Sequence, residues 1–218
     1  DVDLTDVLTV TGVTYSVNGA TASGTAPAGV SLSGSSLTID PTNAAFDSLA
    51  AGETKVIRVN YTVTDSKGGT VTTSETVTIT GTNDTPTVSA ALTDTSDEGS
   101  SSHVVNLLAN ASDVDLTDVL SVTGVTYSVN GATASGTAPA GVSLTGSSLT
   151  IDPTNAAFDS LAAGETKVIR VNYTVTDSKG GNITTSETVT ITGTNDEPTV
   201  SAALTNGWNE GSASHVVN

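Results

Sequence analysis

The sequence has no cysteine and no methionine, so neither disulfides nor thiolate or thioether metal sites are open to it. Aromatic residues make up 3%, which argues against a stacking platform for sugars or bases. Basic residues are equally scarce: Lys and Arg number 6 against 23 Asp and Glu, a formal net charge of -17. Such an imbalance disfavours nucleic acid and anionic membrane surfaces as partners. It also leaves the carboxylates without internal counter-charge, so a compact fold needs cations from elsewhere. No run of about 18 apolar residues is available to span a bilayer.

What fills the 218 residues instead is Thr, Val and Ser, with 21 glycines and abundant Asn and Asp. Val and Thr are β-branched and favour strands, while Gly, Asn and Asp supply turns. An all-β protein is expected.

The chain is also a copy of itself. Residues 1–106 match 113–218 at an offset of 112, and only ten positions differ: 9, 33, 70, 71, 85, 94, 95, 96, 97 and 101 of the first copy. Four of them are consecutive, where Asp94-Thr95-Ser96-Asp97 becomes Asn206-Gly207-Trp208-Asn209. A period of this length is the size of a whole domain rather than a solenoid unit. The joints are Gly81-Thr82-Asn83-Asp84-Thr85-Pro86 and its counterpart at 193–198. Taking each joint proline as the start of a unit, residues 1–85 are the back portion of one domain. Residues 86–197 are a complete one, and 198–218 are the front of a third. Opening at Asp1, the sequence reads as a piece of a longer chain.

Within 86–197, alternation predicts a first strand at 87–92, a polar turn at 93–101 and a second strand at 103–108. Further strands are expected at 119–127, 142–144 and 148–151, with a helical turn at 153–161 that turns Phe158 and Leu161 to the core. Asn130-Gly131 is a type I′ turn signal. The clearest strand is 167–176, with Ile169, Val171, Tyr173 and Val175 on one face; it turns at 178–181 into a last strand with Val189 and Ile191 inward. About seven strands in this length, buried on one face, predict tandem Greek-key sandwiches of immunoglobulin type.

Running these strands up and down sends acids to both ends of a unit. Glu98, Glu165, Asn195 and Asp196 fall at the lower end; Asp113, Asp115, Asp118 and Asp177 fall at the upper. At the first joint, Glu53, Asn83 and Asp84 should therefore meet Asp113, Asp115, Asp177 and Asp118. Oxygen donors without sulfur or a suitably placed histidine suit Ca²⁺ rather than zinc. His103 and His215 occupy one repeat position and are expected at an edge or on the surface. Trp208 is expected to make packing or neighbouring-chain contacts.

The runs Tyr173-Thr-Val-Thr-Asp-Ser-Lys-Gly-Gly181 and Thr188-Val-Thr-Ile-Thr-Gly-Thr-Asn-Asp196 resemble the VCBS and cadherin-like repeats of giant bacterial repeats-in-toxin adhesins. Phe158-Asp-Ser-Leu-Ala-Ala-Gly-Glu165 does so too. The resemblance implies an interdomain calcium site held by Glu98, Glu165, Asn195-Asp196, Asp113/Asp115 and Asp177. The first-copy equivalents are Glu53, Asn83-Asp84, Asp1/Asp3 and Asp65, and Glu210 repeats Glu98 in the third copy. The cadherin linker usually carries a second Asn after the Asp, where Thr85 and Glu197 stand here.

The resemblance further implies a cell-surface extender, stiffened by calcium, that projects a distal binding domain for attachment and biofilm formation. Each bead would add roughly 40 Å, from about twelve extended residues at ~3.3 Å each. A glycan- or protein-binding module is the alternative. Enzyme activity is not expected, since near-identical copies offer no unique catalytic constellation. The phase of the repeat suggests one more partner: residues 199–218 of one chain could complete 1–85 of another, head to tail.

Overall fold

The computed structural model describes residues 2–203, 205–214 and 216. Every regular element among them is a strand. The first set comprises β1 (Thr9–Val17), β2 (Val30–Ser33), β3 (Ser36–Ile39), β4 (Thr54–Thr64) and β5 (Thr70–Thr80). The second comprises β6 (Thr87–Val88), β7 (Leu92–Asp97), β8 (His103–Asn106), β9 (Ala111–Ser112), β10 (Ser121–Val129), β11 (Val142–Thr145), β12 (Ser148–Ile151), β13 (Thr166–Thr176) and β14 (Asn182–Thr192). The fold is all-β, as tandem sandwiches.

In the second set the main sheet runs β10-β13-β14-β7 and faces β11-β12-β8, with β6-β9 as a small third pair. The long hairpin β13–β14 pairs without interruption from Thr166↔Thr192 to Thr176↔Asn182. Its alternation works as the sequence predicts: Ile169, Val171, Tyr173, Val175, Val189 and Ile191 are buried in one core with Leu149, Ile151 and Phe158. The first set repeats this with β1-β4-β5 facing β2-β3 around Tyr15, Val30, Phe46, Ile57 and Val59. A register shift interrupts β10–β13 between Thr123 and Thr126, where Gly124 takes φ 61°. That is the left-handed conformation a bulge requires and glycine tolerates. The turn at Asn130-Gly131 has positive φ at both residues (49° and 76°), as type I′ demands. It leads to a single bridge, Tyr127↔Ser135, rather than into a paired strand.

Three local expectations change. The first strand is split: β6 pairs with β9, and the chain re-enters the main sheet as β7, parallel to β14. Most of the run expected to be a polar turn is thus strand. Its inward positions hold Asp94 and Ser96 beside Leu92, so hydrophobic alternation could not reveal it. The second strand is shorter than expected, ending at Asn106 before the buried Leu107. Residues 153–161 form successive turns rather than a helical segment: Asn155 N–H reaches Asp152 O, Phe158 reaches Asn155 and Leu161 reaches Phe158. Phe158 and Leu161 nevertheless both enter the core.

Candidate metal centre

Strand direction decides what meets at the joint. β14 and β7 run parallel and β13 opposes them, so the loop after β13 lies at the end opposite Glu98. That loop carries Asp177. The loop between β9 and β10, with Asp113, Asp115 and Asp118, comes to the same end, because Ser178 Oγ donates to Asp118 Oδ1 at 3.3 Å. Both expected ends of the unit therefore exist, and the linker from the first set reaches the upper one.

The linker is held by two bonds. Asn83 Nδ2 donates to Asp177 Oδ2 at 3.0 Å, and Asp84 N–H donates to Asp115 Oδ2 at 2.8 Å. The same amide of Asn83 also reaches the carbonyl of Asp84. Asp177 is fixed from behind, its Oδ1 accepting the N–H groups of Lys179, Gly180 and Gly181 at 2.7, 2.6 and 2.9 Å. Asp113 Oδ1 accepts the N–H of Asp115 at 3.1 Å. A side chain at position 181 would collide with Asp177 Oδ2 and approach Asn83 Nδ2 to 3.0 Å, so glycine is required there.

These bonds engage both oxygens of Asp177, and with the Ser178 hydroxyl on Asp118 they take up one oxygen each of Asp113, Asp115 and Asp118 and leave the other. Asn83 Oδ1, Asp113 Oδ2, Asp115 Oδ1 and Asp118 Oδ2 are all buried without a hydrogen-bond partner. Asp115 as a whole is only 2% exposed. Carboxylate oxygens of Asp113, Asp118 and Asp177 lie within 4.8 Å of one another. Burial of an unpartnered carboxylate is costly, and three such oxygens with an orphaned amide oxygen at one joint call for a cation.

The electrostatics say the same. Burial raises the Asp84 carboxyl above its ordinary value, and Asp115, Asp47 and Asp113 push it further. Asp118 is raised by burial and by Asp115 and Asp177, against Ser178 and Lys179, which lower it. Burial also works to raise Asp177, but the hydrogen bonds from Asn83 and the three loop amides prevail and hold it below the ordinary range. Mutually repelling carboxylates, anchored so that they cannot separate, fit a hard divalent ion with oxygen ligands. Asn83, Asp113, Asp115, Asp118 and Asp177 would hold it; the ion would supply charge neutralisation and a rigid link between the two halves of the joint.

The remaining predicted residues divide by position. Glu53 turns to its own loop, its Oε2 accepting Ala50 N–H at 3.1 Å, and its carbonyl receives Gly81 N–H at 2.8 Å. Asp47 is the acid from the first set that acts on Asp84, and sequence reasoning missed it; its only signal is its place in the loop that packs beside Gly81. At the lower end of the second unit, Glu98 is nearly buried and Oε2 accepts Thr194 N–H at 3.1 Å, which ties β7 to the next linker. Glu165 repeats Glu53 by capping Ala162 N–H. Asn195 and Asp196 are exposed there, and Asn195 Nδ2 donates to the carbonyl of Asp196 at 3.2 Å. At the upper end of the first set, Asp65 Oδ1 accepts Lys67 and Gly69 N–H, as Asp177 does in its own loop. Asp3 is exposed, at the start of the turn that Asp6 N–H closes on its carbonyl. Asp1 and His215 lie outside the described residues. Glu210 and Trp208 are exposed and stand in no strand. His103 is half-buried on β8 and bonded to Asp94, 2.7 Å away.

No protein-family model matches the chain, and no curated protein does. Among solved structures, human CDH23 EC21-23 aligns over 88% of this chain and 64% of its own, at 14% identity and a TM-score of 0.43. The protocadherin GammaB4 extracellular domain aligns over 87% and 28%, at 15% identity and a TM-score of 0.37. The chain thus spans less than two thirds of the length of either.

Proposed function

We propose that this chain is a run of calcium-stiffened extender repeats of a bacterial cell-surface adhesin of the repeats-in-toxin type, acting outside the cell in attachment and biofilm formation. The observation that carries the reading is the set of orphaned oxygens of Asn83, Asp113, Asp115 and Asp118, where the linker at 81–86 enters the second sandwich. A cation there joins the two units, and its loss frees the linker to bend. The role is mechanical rather than catalytic. The likeness of the joint and strand motifs to VCBS and cadherin-like repeats supports the adhesin assignment. Small-angle scattering with and without calcium tests it: chelation should broaden the distribution of dimensions, and superimposable profiles would reject it.

The same reading includes self-association by strand complementation. Thr199–Val216 repeats the sequence of Thr87–Val104 with five substitutions. There, β7 and β8 cover the edges of β14 and β12. Among the described residues, no strand pairs with those edges of β5 and β3 in the first set. A cavity of about 450 Å³ opens there between Leu32, Leu37, Val59, Tyr61 and Glu75. Head-to-tail docking of 199–218 from a second copy fills it. Sedimentation that shows this chain monomeric at all concentrations would refute the docking without touching the calcium joint.

A further inference from the structure

Glu187 is the one acid driven into the core of the second sandwich. It sits inward on β14 between Val171 on β13 and Leu92 on β7, next in the inward series to Val189 and Ile191. It is 0% exposed, and neither carboxyl oxygen has a hydrogen-bond partner. Nothing in the calcium joint uses it. Its counterpart Glu75 is exposed and lines the open cavity of the first set, where no strand equivalent to β7 is paired among the described residues. Strand β7 is therefore the element whose presence separates the buried acid from the exposed one.

The groups that face Glu187 offer no compensation. From β7, Asp94 adds a second negative charge. Asp94 is itself engaged across the sheets by His103 Nε2 of β8, at 2.7 Å, with the two side chains 22% and 33% exposed respectively. From β13, Tyr173 donates its hydroxyl to Leu107 O at 2.8 Å, away from the carboxyl. Arg170, the neighbouring cation on β13, is occupied by Asn172 and Ser186. On β7 the next inward residue, Ser96, also has an unpartnered buried hydroxyl.

We propose that β7 is a proton-gated edge strand: it is closed on β14 while Glu187 carries a proton and loosened when Glu187 ionises. A neutral carboxyl in this position costs only its lost hydrogen bonds, whereas a carboxylate there is a buried, unpaired charge beside Asp94. Relief falls on β7 because it is the edge of the sheet, held by a single neighbour, while β13 is flanked on both sides. Burial and Asp94 together push the Glu187 carboxyl up to about 7, and Glu187 in turn helps burial to push Tyr173 to about 12. The closed form thus holds a proton that the opened form releases, between the ordinary glutamate value of 4.5 and about 7. The closing equilibrium weakens through that window as pH rises, by on the order of a hundredfold.

Hydrogen exchange of this 218-residue chain, at constant saturating calcium and corrected for intrinsic rates, reads the gate directly. From pH 5 to pH 8 the protection of Leu92–Asp97 should fall by about ten- to a hundredfold relative to β13. Glu187→Gln should remove that dependence, and Glu75→Gln should leave it intact. Equal pH dependence in wild type and Glu187→Gln, or constant protection in the wild type, overturns the proposal. Should Glu187→Gln fail to fold, the ¹³C carboxyl titration of Glu187 in the wild type decides: a midpoint near 7 supports the gate, and one near the ordinary glutamate value refutes it.

Discussion

Replacing Asp115 by Asn separates a calcium ligand from an ordinary hydrogen-bond acceptor. The change keeps shape and leaves an oxygen to receive the N–H of Asp84, now at 2.8 Å, but removes the charge. Asp115 is 2% exposed and its second oxygen has no partner, so the charge is paid for only if an ion sits against it. Extracellular calcium modules bind at roughly 10⁻⁴ to 10⁻³ M. At 10 mM calcium a site at the tight end of that range is filled at about 100 times its Kd and stabilises the unit by about 2.7 kcal/mol. For a domain of this size that corresponds to a rise in Tm on the order of 10 °C. Asp115→Asn should lose most of that rise. In EDTA the sign reverses: with one charge gone, repulsion on Asp84 and Asp118 falls, and the variant should melt at or above the wild type. Calorimetry of both proteins in calcium and in EDTA supplies the four values. An equal drop in Tm under both conditions would make Asp115 a structural bond only and would refute the ion.

Gly181→Ala forces a methyl against Asp177 Oδ2 and Asn83 Nδ2 and should abolish the calcium-dependent rise in Tm; Gly69→Ala, which meets only Asp65, should leave the second unit's response unchanged, as calorimetry will show. Phe158→Ala empties a fully buried position and should cost about 3–5 kcal/mol in urea denaturation. Asp177 is held below its ordinary value of 3.8, so its contribution is present above that pH and is lost as pH falls through the lower folded value. Acid unfolding followed by circular dichroism should show that step in the wild type and not in Asp177→Asn.

The strands legible beforehand were those with apolar alternation. Lys167–Thr176 and the Val189/Ile191 face needed no tertiary information, because period-two burial is written directly into the side chains. β7 was not legible, since its inward positions 94 and 96 are Asp and Ser, and polarity there reads as a turn. The counterpart of that misreading is Glu187: it stands in the same inward series as Val189, yet nothing in its neighbours along the chain distinguishes it from Glu75. Its burial comes from a strand some ninety residues away in sequence.

For the joint, the repeat of Asn83-Asp84-Thr85-Pro86 and the up-and-down strand order were enough to bring Asn83, Asp84, Asp113, Asp115, Asp118 and Asp177 to one end. Sequence alone determined the all-β class, the repeat, the acid composition and which end of a unit each loop occupies, because these follow from periodicity and the direction of successive strands. Tertiary structure decided the rest. It turned Glu53 toward Ala50, brought Asp47 close enough to act on Asp84, and left one side-chain oxygen each of Asn83, Asp113, Asp115 and Asp118 without a partner. Those outcomes depend on which oxygen each N–H reaches, within a loop as at Glu53 and across the joint as at Asp115, and on how closely the loops pack. Residue type and spacing do not encode that choice until the loops are packed.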